Sequence, residues 1–140
     1  MPARLRRGKS RLRHFPRTVS VTFTVGDFVI FTSGLLATAL NSTTTGIVGI
    51  MATDVASADS DFATAAVREP VEVGIDGNAL IEMSVANGTL LTTSIGVKFG
   101  LTSASEVDFG DTSNTVVECV TFISGTLGLF QLENDAVHNA

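Results

Sequence analysis

Short runs of β-favouring residues, cut by turn-forming pairs at intervals of about 8–12 residues, limit this chain more than any other feature. Residues 18–24 alternate Val19, Val21 and Phe23 with Thr18, Ser20, Thr22 and Thr24, the period of a half-buried strand. Gly26-Asp27 turns the chain into 28–32, and Ser33-Gly34 separates that run from 35–40. After the polar break 41–45 comes 46–53, with Ile47, Val48, Ile50 and Met51. Runs 71–75 and 78–85 flank Asp76-Gly77, the strongest hairpin signal, because Asp-Gly accepts the positive φ of a type I′ turn. Asn87-Gly88 leads into 89–92, runs 95–101 and 106–109 follow, and 116–123 and 126–132 flank Ser124-Gly125. Connections of two residues join antiparallel strands, since parallel neighbours need long crossovers. The pattern predicts an all-β fold, an antiparallel β-barrel or sandwich of about eight to ten short strands. It breaks at 57–67. There Phe62, Ala63, Ala66 and Val67 fit one helical face, with Asp59 or Ser60 as N-cap, and an ordered surface loop fits as well.

Charge divides the chain differently. Arg4, Arg6, Arg7, Lys9, Arg11, Arg13 and Arg17 are seven of its nine cations, and no acid lies among the first 17 residues. Residues 18–140 hold only Arg68 and Lys98 against all 14 acids, so two cations against 14 anions leave that part at −12. The predicted organisation is a basic extended arm (1–17), a β-barrel or sandwich domain (18–132) and a polar C-terminal tail (133–140). Mutual repulsion, Pro2 and Pro16 point to an extended, mobile arm, long enough at about 3.3–3.6 Å per residue to cross a neighbouring subunit. Such asymmetry marks an interaction tail.

The 140 residues suit one domain, and 44% apolar content excludes a disordered acidic protein. No run of about 18 apolar residues occurs, and Arg13-His14-Phe15-Pro16-Arg17 interrupts any secretory core, so neither a membrane span nor a signal is expected. Asn41-Ser42-Thr43 and Asn87-Gly88-Thr89 then read as loop and turn sequence rather than glycosylation sites.

Catalytic chemistry finds little support. His14 and His138 lie in the arm and the tail, so a nucleophile in the body has no imidazole base. Cys119, the single cysteine, shares a strand face with Val117, Thr121 and Ile123 and reads as a buried, inert thiol. Glu118 reads as the solvent-facing exception on that strand. Asp54, Asp59 and Asp61, and Asp108 with Asp111, lack the spacing of an EF-hand loop. They read as solvating surface, with a weak calcium site at Asp108 and Asp111 and a small hydrolase with paired carboxylates as rivals. Gly46-Ile47-Val48-Gly49 lacks the Lys of a phosphate loop, and its glycines suggest close backbone packing or a bulge. No cofactor is implied. The arm could contact phosphates. Phe15 is its one aromatic, however, and the acidic body repels nucleic acid, so the arm is assigned to a protein surface, with a nucleic-acid-binding module as the alternative. An extended arm can also add a strand to a neighbour's sheet edge.

Val25-Gly26-Asp27-Phe28-Val29, the Ser33-Gly34 turn, Gly46-Ile47-Val48-Gly49-Ile50-Met51-Ala52-Thr53-Asp54 and Val71-Glu72-Val73 occur in this order. Over roughly residues 24–85 the arrangement is similar to the small β-rich decoration, or cement, proteins of tailed-bacteriophage capsids. The resemblance implies a non-enzymatic virion protein on the outer capsid surface. It would be a trimer bound to the major capsid protein or another shell protein. The expected partner-binding residues are Arg4, Arg6, Arg7, Lys9, Arg11, Arg13 and Arg17 in the arm, with Val19, Val21 and Phe23 pairing with a neighbour or with the body's own sheet.

Overall fold

The computed structural model describes residues 3–7, 11–73, 79–133 and 136–137, with only the backbone of Arg7. The chain is all-β, as the turn spacing predicts. Eleven strands lie among the described residues: β1 Arg4–Arg7, β2 Arg11–Pro16, β3 Phe28–Thr32, β4 Leu35–Thr38, β5 Gly49–Met51, β6 Arg68–Val73, β7 Leu80–Ala86, β8 Lys98–Ser103, β9 Glu106–Asp108, β10 Val117–Ser124 and β11 Leu127–Leu132.

Five of them close a barrel in the order β7-β11-β10-β8-β9, and β9 returns to β7 through a parallel pairing from Ser84↔Glu106 to Ala86↔Asp108. The other pairings between strands are antiparallel. β1 takes the remaining part of that β7 edge, with Arg4 opposite Glu82 and Leu5 opposite Ile81. The second sheet runs β2-β6-β5-β3-β4, and its two ends meet at a parallel bridge between Arg17 and Leu36.

Strand alternation gives β3 and β5 two buried faces. Phe28 and Ile50 enter the barrel core with Ile81, Met83, Leu101 and Phe130, while Val29 and Met51 join Phe23, Leu36, Val55 and Val71 in a second core. Full burial of such side chains is worth about 1.5–3 kcal/mol each, so this shared wall is what fastens the two sheets together. Gly49 makes the wall possible. A Cβ there would collide with the Glu72 carbonyl and stand 2.9 Å from the Val71 side chain, so β5 approaches β6 closely only as glycine, the close packing its spacing suggested.

Several expectations are corrected. The described residues among the first 17 are not a mobile arm separate from the body, because β1 belongs to the barrel sheet and β2 to the second sheet. Ala3 is buried in the barrel core, and Lys9 lies outside the described residues. Residues 18–24 form no strand: Ser20 has a left-handed φ of 57°, and only Phe23 bridges, to Val55. Of the two readings of residues 57–67, the ordered loop holds and the helix does not. Successive turns run through 56–64, and Ala66 takes φ 62°. Residues 89–92 yield a 3₁₀ turn at Thr92–Ser94 instead of a strand. Runs 71–75 and 78–85 do not make a hairpin, because β6 and β7 lie in different sheets; Asp76-Gly77 itself is outside the described residues. Nor is 133–140 only a polar tail: Ala136 is fully buried, and Ile47 donates to its carbonyl at 2.7 Å.

Candidate functional site: the basic edge strand

Folding the basic segment into two sheets sorts its cations into different tasks. In β1, Arg4 and Arg6 converge on Glu82, with Nε–Oε distances of 2.7 Å and 4.0 Å. Glu82 is 5% exposed, so this carboxylate depends on both guanidiniums for its charge balance. Pairing Arg4 opposite Glu82 in the ladder brings them together. Arg17 is buried altogether. Its Nε lies 3.2 Å from Glu69 and its Nη2 lies 3.4 Å from the Asp61 carboxylate, while Nη2 and Nη1 donate to the Asp61 and Phe62 carbonyls at 2.8 and 3.1 Å. Those carbonyls would accept the bonds of a helix at 57–67. Arg17 takes them instead and holds the segment as an ordered loop.

Arg11 and Arg13 remain. Both are exposed, and neither has an acidic partner among the described residues. The β2–β6 ladder runs without a register shift from Arg11↔Val73 to Pro16↔Arg68. Opposed residues share a face, so Arg11, Arg13, Phe15 and Arg17 stand on the side of Val71 and Val73. Arg13 lies over the Phe15 ring at 5.7 Å, and Phe15 meets Phe31 edge-on at 5.1 Å. On the opposite face Leu12 is 59% exposed, beside His14 and Glu72. The result is a short strand with exposed cations on one face and an exposed leucine on the other.

The other expected partner-binding residues divide as well. Val19 is exposed, Val21 is half-buried against the second core, and Phe23 is buried in it. Phe23 therefore serves this chain's own core rather than a strand of its sheets. Arg7's side chain is outside the described residues. Sequence reasoning missed Glu82 and Glu69. A signal existed for Glu82, an acid between Ile81 and Met83 in an otherwise apolar run, in a chain whose cations lie almost all in its first 17 residues.

Most of the grouped acids hold turns. Asp27, Asp54 and Asp59 accept from the backbone N–H groups of Thr24, Val25 and Ala56. Asp108 accepts from Gly110, and Asp111 from Ser113 and Asn114. Among the described residues no three His, Cys, Asp or Glu side chains are placed to hold a metal ion. Cys119 is buried, and burial, with Glu118 as the lesser cause, raises its thiol pKa, which disfavours the reactive thiolate. A cleft of about 520 Å³ opens between the sheets, lined by Thr22, Thr24, Asp27, Thr38, Asn41 and Thr102 among others, and Asp27 is the one carboxylate among its described lining residues.

Burial raises the pKa of Asp27, the Thr24 N–H opposes the shift, and Asp54 adds to it. A raised native value means that the folded state takes up this proton more readily than the unfolded state. The ionised group therefore weakens stability at neutral pH, and acidification through the native pKa toward 3.8 relieves it. Asp27→Asn keeps an acceptor for Thr24 and removes the charge. It is expected to melt above wild type at pH 7, with the difference shrinking as pH falls through that window. Melting curves across pH check this, and a difference that grows on acidification contradicts it.

Comparison with known proteins finds no family model that matches the chain and no curated protein that matches it.

Proposed function

We propose that this is a structural protein that binds a larger protein assembly and stabilises it, as the capsid-decoration proteins it resembles do. The reading places it on the outer surface of a viral capsid, as a homotrimer bound to the major capsid protein. The observation that carries the binding role is β2, where Arg11 and Arg13 stand exposed on a chain whose remaining cations are few and whose acids number 14. Opposite charge on the partner would steer docking and fix its register. The clamp is thus a strand fixed in the sheet rather than a loose arm, which lowers the ordering cost of binding.

Self-association falls to a different surface. Leu91, Ile95, Val97 and Ile123 are all exposed large apolar side chains. Hydrogen bonds from Leu90 to Gly125 and from Cys119 to Val97 lay residues 90–97 along β10, the strand that carries Ile123. A second and third copy covering these side chains would remove them from water.

The test is co-sedimentation of the purified protein with candidate capsids, wild type against Arg11→Glu/Arg13→Glu. The double variant is expected to lose binding by on the order of 100-fold, with the wild-type affinity falling as salt rises. Undiminished binding by the double variant would remove β2 from the proposal. Salt-sensitive retention of DNA or RNA on filters by wild type, with no capsid binding, would favour the nucleic-acid alternative.

A further inference from the structure

Resting on the basic-strand reading above, we infer that β2 recognises its partner by strand addition, accepting an extended acidic segment of the bound protein along its open edge. Ala52 donates to the Pro70 carbonyl at 3.1 Å, so the backbone of Pro70 faces β5 and not β2. In an antiparallel ladder the N–H and C=O of opposed residues turn inward or outward together. Pro70 is opposed to His14, so His14 faces outward, and Leu12, two residues earlier, does the same. Arg68 already occupies the His14 carbonyl at 2.9 Å. The N–H and C=O of Leu12 and the N–H of His14 are left toward solvent, the row of groups that an added strand pairs with.

The other strand edges offer less. The barrel closes on itself through β7–β9. The Leu36 carbonyl on β4 is taken by both the backbone N–H and the hydroxyl of Thr18. The β1 ladder has a register shift within its four residues, whereas that of β2 is regular. Charge selects the occupant. A second β2 would set guanidiniums against guanidiniums, an arrangement that blocks edge pairing between copies. A strand with acids opposite Arg11 and Arg13 meets opposite charge on that face. Its residue opposite Leu12 meets an exposed leucine with Glu72 beside it, which favours an apolar side chain there. The expected partner segment therefore reads acidic, apolar, acidic in an extended stretch.

The probe is a short capped peptide alternating Glu and Val, added to the full-length protein and followed by calorimetry and by amide exchange in NMR. Binding is expected, with new protection at the Leu12 and His14 amides. A Lys-Val peptide and a Glu-Val peptide N-methylated at alternate residues are expected not to bind. Leu12→Pro removes an outward N–H without touching the β2–β6 ladder, and proline is tolerated on such an edge. It is expected to weaken peptide binding by about tenfold or more. A Glu-Val peptide that fails to bind, or that binds without protecting Leu12 and His14, overturns the inference. So does a wild-type dimer whose Leu12 amide is protected without peptide, since the occupant is then a second copy. If Arg11→Glu/Arg13→Glu abolishes capsid binding while Leu12→Pro leaves it and the amides unchanged, the basic-strand reading stands and strand addition is wrong.

Discussion

A chain lacking residues 1–17 is expected to lose its native fold rather than to leave a soluble acidic body. Truncation strips β1 from the β7 edge and β2 from the β6 edge, empties the site of Ala3 and removes Arg17 from the 56–67 loop. It also leaves Glu82 buried with neither guanidinium. The lost ladder bonds are worth about 0.5–1.5 kcal/mol each, and an unpaired buried charge costs about 3–5 kcal/mol. Their sum is comparable with the entire stability of an ordinary domain, about 5–15 kcal/mol. Far-UV circular dichroism and limited proteolysis of the truncated chain check this. A cooperative melt near the wild-type temperature would show that β1 and β2 are dispensable. Deletion of this segment therefore cannot serve as a binding test, and point changes at Arg11 and Arg13 take its place.

The second large effect falls on Arg17. Arg17→Ala is expected to cost about 3–5 kcal/mol, measured by urea unfolding. Most of the loss belongs to Glu69 and the two carbonyls of Asp61 and Phe62, because the Asp61 carboxylate is half-exposed and its ion pair is screened by water. Arg17→Lys is expected to recover only part of it, since an ammonium cannot present the planar fork that reaches Glu69 and both carbonyls together. Proteolytic cutting within 56–67 should rise in both variants, more in the alanine. An alanine variant with wild-type stability would mean that the loop holds itself.

What local sequence states about this fold is carried by its turns. Ser33-Gly34 lies between β3 and β4, and Ser124-Gly125 marks the turn from β10 into β11, its turn residues falling one later at Gly125 and Thr126; both strand pairs do form. Residues 18–24 show why alternation alone is insufficient. Their period is that of a strand, yet Ser20 turns left-handed and donates to Phe62, because the 56–67 loop rather than a sheet edge lies beside it. The basic segment hides its place in the fold for a related reason. Its repulsion is local, while the acids that relieve it, Glu69 and Glu82, are distant in sequence. Asp76-Gly77 is favoured locally for a hairpin, but its flanking strands find partners in β2 and β1. Of the candidate site, the excess of charge was legible from the sequence. Which cations stay exposed was not, because that depends on the two sheets that divide them.

The pairing of Arg4 with Glu82, 78 residues apart, also sets a timetable for synthesis. At about 5–20 residues per second, the first strand waits roughly 4–16 s on the ribosome before its partner has been made. For most of that interval Arg4 and Arg17 lack the acids they pair with, since Asp61, Glu69 and Glu82 all lie far along the chain. Long-range strand pairing of this kind is intrinsically slow. The basic edge strand β2 takes its place only when residues 68–73 of β6 have emerged, which ties its display to a second sheet whose other strands are already made.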